Sequence, residues 1–468
     1  MTVLKQSPET PSAPSFLTAF ITFCTLIIGL MSGLFVLEAG LHGLLLIAVG
    51  LTVVLGLWLG HSYQQIREFI FSGIQQSAPA LIIFLLIGVV IAAFIQAGTV
   101  ATLIYYVLHI LSPITFLPIG LVLCSLMSFT TGTSWGTVAT VGIVLMTVGT
   151  HFGVPAGISA GMIIAGASFG DKMSPVSDTT NLAALSAGAP LYRHIQSMRI
   201  TTLPSYLITF AGFLVIGVFL NIESAQPIPT TTFIDALDHT FNLHWITLGP
   251  LILMLGLSRF KVPAEAVLLL ASIAAMCIAF GVQNFDPAQL ITSVFTGVKI
   301  ETPDPLLDTL LNRGGMQAMA WTLTLAIIAV TLGALLNGLG VLSALLSPLT
   351  RLMHRPAALI TTSTIAATAS TATLAEPYAA ITLTGQVFKP SYQASTLDSA
   401  ILSRTIEEGS TLTAALIPWT TTAVFYAAIL GVQCLEYAPY ALLNWMNPLI
   451  GILFAWLGMG LRMPPPRA

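Results

Sequence analysis

The stretch GASFGDKMSPVSDTTNLAA, residues 166–184, decides how this chain is read. It holds two aspartates, a lysine, an asparagine, serines, threonines and a proline, and long apolar runs surround it. Charge in an apolar setting is costly and points to function. Gly166 and Gly170 are poor helix formers, and Pro175 cannot donate an i→i−4 hydrogen bond. The stretch therefore reads as a broken segment with freed carbonyl oxygens. Such backbone survives at membrane depth only where it is buried in protein or lines a cavity.

The rest of the chain supports a membrane setting. Of 468 residues, 56% are hydrophobic and 7% charged, where a soluble domain has about a quarter charged. Mean hydropathy is +0.92. These values describe an all-α polytopic membrane protein. Net charge is −3 with no basic patch, so nucleic acid is not a partner. Cys24, Cys124, Cys277 and Cys434 lie in or beside apolar runs without a CxxC pair, and read as small buried hydrophobes. The eight histidines show no metal-ligand spacing, and no HExxH, GxSxG or P-loop is present. Neither an enzyme nor a resident cofactor is expected.

Spans need about 20 apolar residues. The first two are Phe16–Leu37 and Leu41–Leu59. HSYQQIREFIFSGIQQ (61–76) reads as an interfacial helix before a third span, Pro79–Gln96. Thr99–Leu111 and Ile114–Met127 are divided by Pro113, and SFTTGTSWGTVATVG (128–142) breaks the pattern with hydroxyls and glycines. Pro155–Ala167 is too short to span comfortably and leads into the 166–184 stretch. Arg193, His194 and Arg199 mark an exit to water before Ile200–Leu220. The later runs are Trp245–Leu257, Val262–Gly281, Ala318–Leu336, Val341–Leu352, Ala357–Ala369, Val424–Val432 and Tyr440–Leu461. STATLAEPYAA (370–380) is a second break, a loop is expected through Lys389, and SRTIEEGSTLTAALIPWTTTA (403–423) follows.

Sliding the chain by 242 positions superposes Gly73, Gln75, Ala78, Leu81, Ala92, Gly98 and Leu103 on identical residues, and the order of features recurs in each half. Paired interrupted segments point to a repeat-built transporter with its site near the midplane. The expected division is a polar tail over 1–15, a first transmembrane repeat over 16–221, an external linker over 222–244, a second repeat over 245–462 and a tail over 463–468. Lys5, Arg67, Arg193, Arg199, Arg259, Lys261, Arg462 and Arg467 can all face the cytoplasm under the positive-inside rule. That places both termini inside a cell (inner) membrane and inverts one repeat relative to the other. Lys299 and Arg313 fall outside and weigh against it.

Carboxylates, hydroxyls and freed carbonyls are hard oxygen donors for a small cation. A carboxylate that binds either a proton or a cation supplies the physics of exchange. Asp178, followed by Thr179, Thr180 and Asn181 with no adjacent cation, is the leading candidate. Asp171 either belongs to the site or pairs with Lys172 at the membrane surface. Lys172 is an internal counter-charge or snorkels. In the first break, Thr131, Thr133 and Ser134 are cation ligands or helix-packing groups. In the second half the candidates are Glu376, Glu407, Glu408, Thr411 and Thr413. Glu408-Gly-Ser-Thr is expected to answer Asp171-Lys-Met-Ser, and Arg404 to pair with Glu408 at i,i+4. Trp135, Trp419 and Phe425 read as packing around the breaks.

FGDKMSPVSDTTN resembles the signature of the NhaC-type sodium/proton antiporter family within the wider ion-transporter superfamily. TGTSWGT (131–137), LLNRGGM (310–316) and the 403–419 region are also similar to it, so the likeness runs from about Gly73 to Trp419. The resemblance implies secondary active transport of Na⁺ against H⁺, with a re-entrant hairpin and a broken helix in each repeat. It puts Asp171, Ser174, Asp178, Thr179 and Asn181 at or near the ion site. The family also contains sodium-coupled exchangers of organic acids, such as malate for lactate, and amino-acid carriers. Two readings follow: a Na⁺/H⁺ antiporter, or a sodium-coupled carrier of a small carboxylate or amino acid. For a carboxylate cargo, Lys172, Arg404 and the hydroxyls at 131–134 are the available donors. A channel would show rings of charge or a repeated filter.

Overall fold

A bilayer leaves backbone groups no water to bond, so a spanning chain satisfies them within helices or closed barrels. This chain uses helices, and no strand occurs among the described residues. The structure is a computed structural model that describes residues 14–220, 230–260, 262–302, 307–308, 311–346, 348, 355–395 and 397–461. Most of both tails, the 222–229 part of the expected linker, and Lys5, Lys261, Arg462 and Arg467 lie outside these residues.

The first elements are α1 (Phe16–Phe35), α2 (Leu41–Trp58) and α3 (Tyr63–Gln96). Their outer faces carry exposed Ile21, Ile28, Leu46, Ile47 and Val54, as lipid contact requires. The separate interfacial helix expected over 61–76 does not exist. α3 runs unbroken for 34 residues from a Ser62–Gln65 capping box, with Pro79 inside it. A transmembrane helix tolerates proline because neighbours re-satisfy the freed carbonyl.

Next come α4 (Thr99–Ile110) and α5 (Pro113–Thr131), then a tip at Gly132 and Thr133. Beyond it the chain returns through α6 (Ser134–Thr137), a π-turn over Val138–Gly142, and α7 (Ile143–His151). α8 (Ala156–Met173) is longer than the run expected from sequence and passes through Gly166 and Gly170 without breaking. Both glycines are required by packing on α5. A Cβ on Gly166 would lie 2.6 Å from the Leu121 carbonyl oxygen, and one on Gly170 2.3 Å from that of Ser125. This is the small-xxx-small contact of membrane helices. The break falls only over 174–177, around Pro175, before α9 (Asp178–Ala187) and α10 (Leu191–Phe219).

Part of the expected linker is helical: α11 (Thr230–Thr240) buries Phe233 and Leu237, and Phe241 just past its end is also buried. It meets the following segment, α12 (Gly249–Arg259), at a bend of 87°. α13 (Ala264–Gly281), α14 (Pro287–Thr296), α15 (Met316–Gly338) and α16 (Val341–Leu346) follow. α17 (Pro356–Leu374) leads to a second tip at Ala375 and Glu376. The loop expected through Lys389 is instead α18 (Pro377–Ala394), started by Pro377 at its first turn. The chain closes with α19 (Ser399–Gly409), α20 (Thr411–Ala414), α21 (Thr421–Leu430), α22 (Cys434–Tyr437) and α23 (Leu442–Trp456). Among the described residues eight helices are long and apolar enough to cross a membrane, or ten if each of two sharply bent pairs counts once.

The helix bounds repeat. α5 and α17 are 19 residues each and start 243 positions apart, at 113 and 356. The same spacing links α6 to α18, α8 to α19, and α9 to α21, both of the last pair having 10 residues. It also links the left-handed tip residues Gly132 and Ala375, the caps Thr133 and Glu376, and the terminating glycines Gly188 and Gly431. At this spacing Gly409 answers Gly166, so Glu408 does not answer Asp171 as the sequence suggested; Ala414 does.

Candidate functional site

The repeat bounds explain how the polar breaks meet. The two tips and the two broken segments line one cavity of about 620 Å³, walled also by α3, α12 and α13. From the first half it is lined by Thr131, Thr133, Ser134, Ser168, Asp171, Asp178, Thr179 and Asn181. From the second it takes Glu376, Tyr378, Thr411, Thr422 and Tyr426. The repeats contribute complementary chemistry at matching places. The first puts a hydroxyl at the tip, Thr133, and a carboxylate at the start of α9, Asp178. The second reverses this, with Glu376 at the tip and Thr421 at the start of α21.

Asp171 sits in the last turn of α8, 5% exposed. Ser134 binds its Oδ2 twice, through the backbone N–H at 3.2 Å and the hydroxyl at 2.7 Å. That N–H belongs to the first turn of a helix, whose positive end favours an anion. Asp171 Oδ1 is buried and accepts no hydrogen bond of normal geometry, although the Ser177 hydroxyl lies near the carboxylate. Lys172, the neighbour proposed as its partner, points elsewhere. It is 1% exposed and donates to Asn447 Oδ1 at 2.7 Å. Surface pairing and snorkelling are both ruled out by this burial.

Asp178 is accessible, through the cavity it lines. Both its oxygens are engaged: Oδ1 by the Thr179 N–H at 2.8 Å, Oδ2 by the Tyr378 hydroxyl at 2.5 Å. Asn181 donates to the carbonyls of Pro175 and Ser177 and so holds the break together. Thr133 and Glu376 cap their helices, accepting from the Gly136 and Ala379 N–H groups. Thr131 donates to the Met127 carbonyl, while the Thr411 hydroxyl is buried without a partner.

The remaining candidates do not line the cavity. Ser174 is buried against the Phe129 carbonyl, and Thr413 donates to the Gly409 carbonyl. Thr180, Glu407, Glu408, Lys172 and Arg404 form a polar cluster behind α8 and α9. Arg404 and Glu408 make no ion pair among the described residues. Instead Thr201 donates to Glu408, and Arg404 reaches the Ser197 carbonyl at 3.5 Å. His194, read from sequence as part of an exit to water, is fully buried and faces Glu407. Its position between two arginines masked it. Glu265, Ser168, Tyr378 and Tyr426 also join the cavity unannounced. Trp135 lines the cavity and stacks on Phe425 at 4.5 Å, and Trp419 donates to the Ala372 carbonyl.

Four acids line the cavity, and no lysine or arginine does so among the described residues. No group of three Asp, Glu, His or Cys side chains converges as a metal cluster among them. A cation here would rest on one carboxylate with hydroxyl and carbonyl oxygens around it, a set suited to a hard ion. Paired tips and interrupted helices around a central acidic cavity define a secondary transporter.

The comparisons with known proteins agree. The profile of the Na⁺/H⁺ antiporter family matches residues 166–459. The chain is 35% identical over 448 residues to the Na⁺/H⁺ antiporter NhaC of Alkalihalophilus pseudofirmus, covering 94% of this chain and 96% of that one. It is 32% identical to the malate-2H⁺/Na⁺-lactate antiporter of Bacillus subtilis, covering 87% of each. It is 28% identical to the arginine/ornithine antiporter ArcD of Halobacterium salinarum, covering 97% and 94%. The chain belongs to the Na⁺/H⁺ antiporter family.

Proposed function

We propose that the protein exchanges Na⁺ for H⁺ across a cell (inner) membrane, driven by ion gradients, with Asp171 as the group over which the two ions compete. One observation carries this: a buried carboxylate at a helix break, facing a cavity, with one oxygen that accepts no hydrogen bond of normal geometry. An unpaired charge there is expensive. A proton or a cation on Oδ1 relieves the cost, and each excludes the other. Ser134 holds Oδ2 and orients the carboxylate. Asp178, already bonded at both oxygens, attracts and positions the cation on its way in. The order of importance is thus Asp171 first and Asp178 second, the reverse of the sequence expectation.

In this reading the two repeats are inverted, both termini are cytoplasmic, and the cavity opens alternately to either side. The test uses everted vesicles carrying the protein, an imposed proton gradient and a pH-sensitive dye. Adding Na⁺ dissipates the gradient; failure to do so at every pH tried overturns the reading.

The cavity volume supports a second reading, Na⁺-coupled exchange of a small organic solute, since about 620 Å³ exceeds what a bare ion needs. The acidic lining disfavours an anion entering alone and favours a cationic solute or a cation-paired carboxylate. Labelled malate, lactate and amino acids, each offered to proteoliposomes with and without Na⁺, separate the readings.

A further inference from the structure

Behind the cavity lies a second buried cluster of ionisable side chains. His194 Nε2 lies 2.8 Å from Glu407 Oε2, both side chains fully buried. His194 Nδ1 lies 2.7 Å from the Ser403 hydroxyl. On the other side Glu407 Oε1 is 3.1 Å from the Thr180 hydroxyl, which also reaches the carbonyls of Asp171 and Lys172 at 3.4 and 3.3 Å. These groups run from the back wall of the cavity to Ser403 on α19, whose N-cap, Asp398, pairs with Arg193 of α10. Neither Glu407 Oε2 nor His194 Nε2 has a hydrogen bond of normal geometry. Their separation nonetheless suits a shared proton.

We propose that the Glu407–His194 pair binds and releases a proton of the exchange cycle at a place separate from the cation cavity. This rests on the antiport reading above. Facing the pair are Lys172 from α8, Arg404 and Glu408 from α19, and the Thr180 hydroxyl from α9; Asn447 of α23 holds Lys172, and the Tyr392 hydroxyl of α18 lies beside Thr405. With Lys172 and Arg404 charged and Glu408 ionised, the cluster is neutral when the pair holds no proton. Loading one proton, onto either the carboxylate or the imidazole, leaves a net positive charge. Glu407 reaches the cavity wall through the Thr180 hydroxyl, which also touches the Asp171 carbonyl. A unit charge acting across about 10 Å of protein changes a cation's occupancy roughly tenfold. The loaded pair therefore opposes Na⁺ binding and the empty pair permits it, which adds an electrostatic coupling to the direct competition at Asp171.

The test uses purified full-length protein in liposomes, with Glu407→Gln and His194→Gln measured in two modes. Exchange of radioactive Na⁺ for Na⁺ needs no net proton movement, whereas Na⁺/H⁺ exchange does. Glu407→Gln fixes the cluster at its loaded charge: Na⁺/H⁺ exchange falls at least about tenfold, Na⁺/Na⁺ exchange persists at saturating Na⁺ with apparent affinity about tenfold weaker, and His194→Gln displaces the pH profile of Na⁺/H⁺ exchange. The proposal is overturned if both variants keep the wild-type rate and pH profile, or if each loses both modes while remaining monodisperse. If Glu407→Gln does not purify, the pH profile of His194→Gln decides alone. A wild type without Na⁺/H⁺ exchange overturns the antiport reading itself, and is thereby distinguished from failure of the proton site.

Discussion

At the scale of single residues, the decisive group is Asp171, the carboxylate that lines the cavity with one oxygen lacking a hydrogen bond of normal geometry. Asp171→Asn removes the charge that either ion would neutralise, and Na⁺/H⁺ exchange falls about 100-fold or more, the loss of about 3 kcal/mol of charge-assisted interaction. Asp178→Asn keeps the bond from the Thr179 N–H and costs about tenfold, mostly in apparent Na⁺ affinity. Rates measured over a range of Na⁺ concentrations check both; an unaffected Asp171→Asn contradicts the assignment. Ser134→Ala deletes the hydroxyl and leaves the backbone donor. It weakens apparent Na⁺ affinity by roughly tenfold, the worth of one hydrogen bond to a charged group. The sequence marked Asp171 as exceptional through its apolar surroundings. It could not reveal Ser134 as its partner, because the two are 37 positions apart and meet only when the first tip folds back on α8. Lys172 was ambiguous for the same reason: Asn447 is 275 positions away.

At the scale of elements, small residues set how closely helices approach. Gly170→Ala would drive a methyl into the Ser125 carbonyl and the Phe129 N–H, both backbone. It destabilises the protein by about 1–3 kcal/mol, seen as a lower melting temperature in detergent. Gly50→Ala, with nothing within 4 Å, leaves it unchanged. The two tips give a sharper comparison. Gly132 has φ 70° and Ala375 φ 56°, a conformation costing an alanine about 1–2 kcal/mol. Ala375→Gly is near neutral, because the released strain offsets the lost burial of one methyl, about 0.8 kcal/mol. Gly132→Ala adds that strain to a clash with the Val176 carbonyl carbon at 2.9 Å, and costs at least about 2 kcal/mol. Breaks at 128–142, 166–184 and 370–380 were legible because polar residues and proline interrupt apolar runs. Element bounds were less so. Glycine lowered the expected helicity of 166–173, whereas packing on α5 demands glycine there. Lys389 suggested a loop where α18 continues.

At the scale of the whole molecule, the fold class follows from hydropathy alone, since long apolar stretches have few other solutions in a bilayer. The internal repeat was faint in sequence because matching positions diverged in chemistry while keeping their geometry. Thr133 and Glu376 share backbone angles, φ −147° and −142°, yet carry different side chains. That divergence leaves the first half to supply Asp171 and Asp178 to the cavity. It also leaves the second half to supply Glu376 and Tyr378 to the cavity and Glu407 to the cluster behind it. In the proposed mechanism Asp171 trades a proton for Na⁺. The direct measurement is uptake of radioactive Na⁺ into proteoliposomes of purified protein, driven by an acidic interior, for wild type beside Asp171→Asn. The wild type accumulates Na⁺ until the proton gradient is dissipated, and the variant accumulates none. No accumulation in the wild type, or equal accumulation in both, would contradict the mechanism.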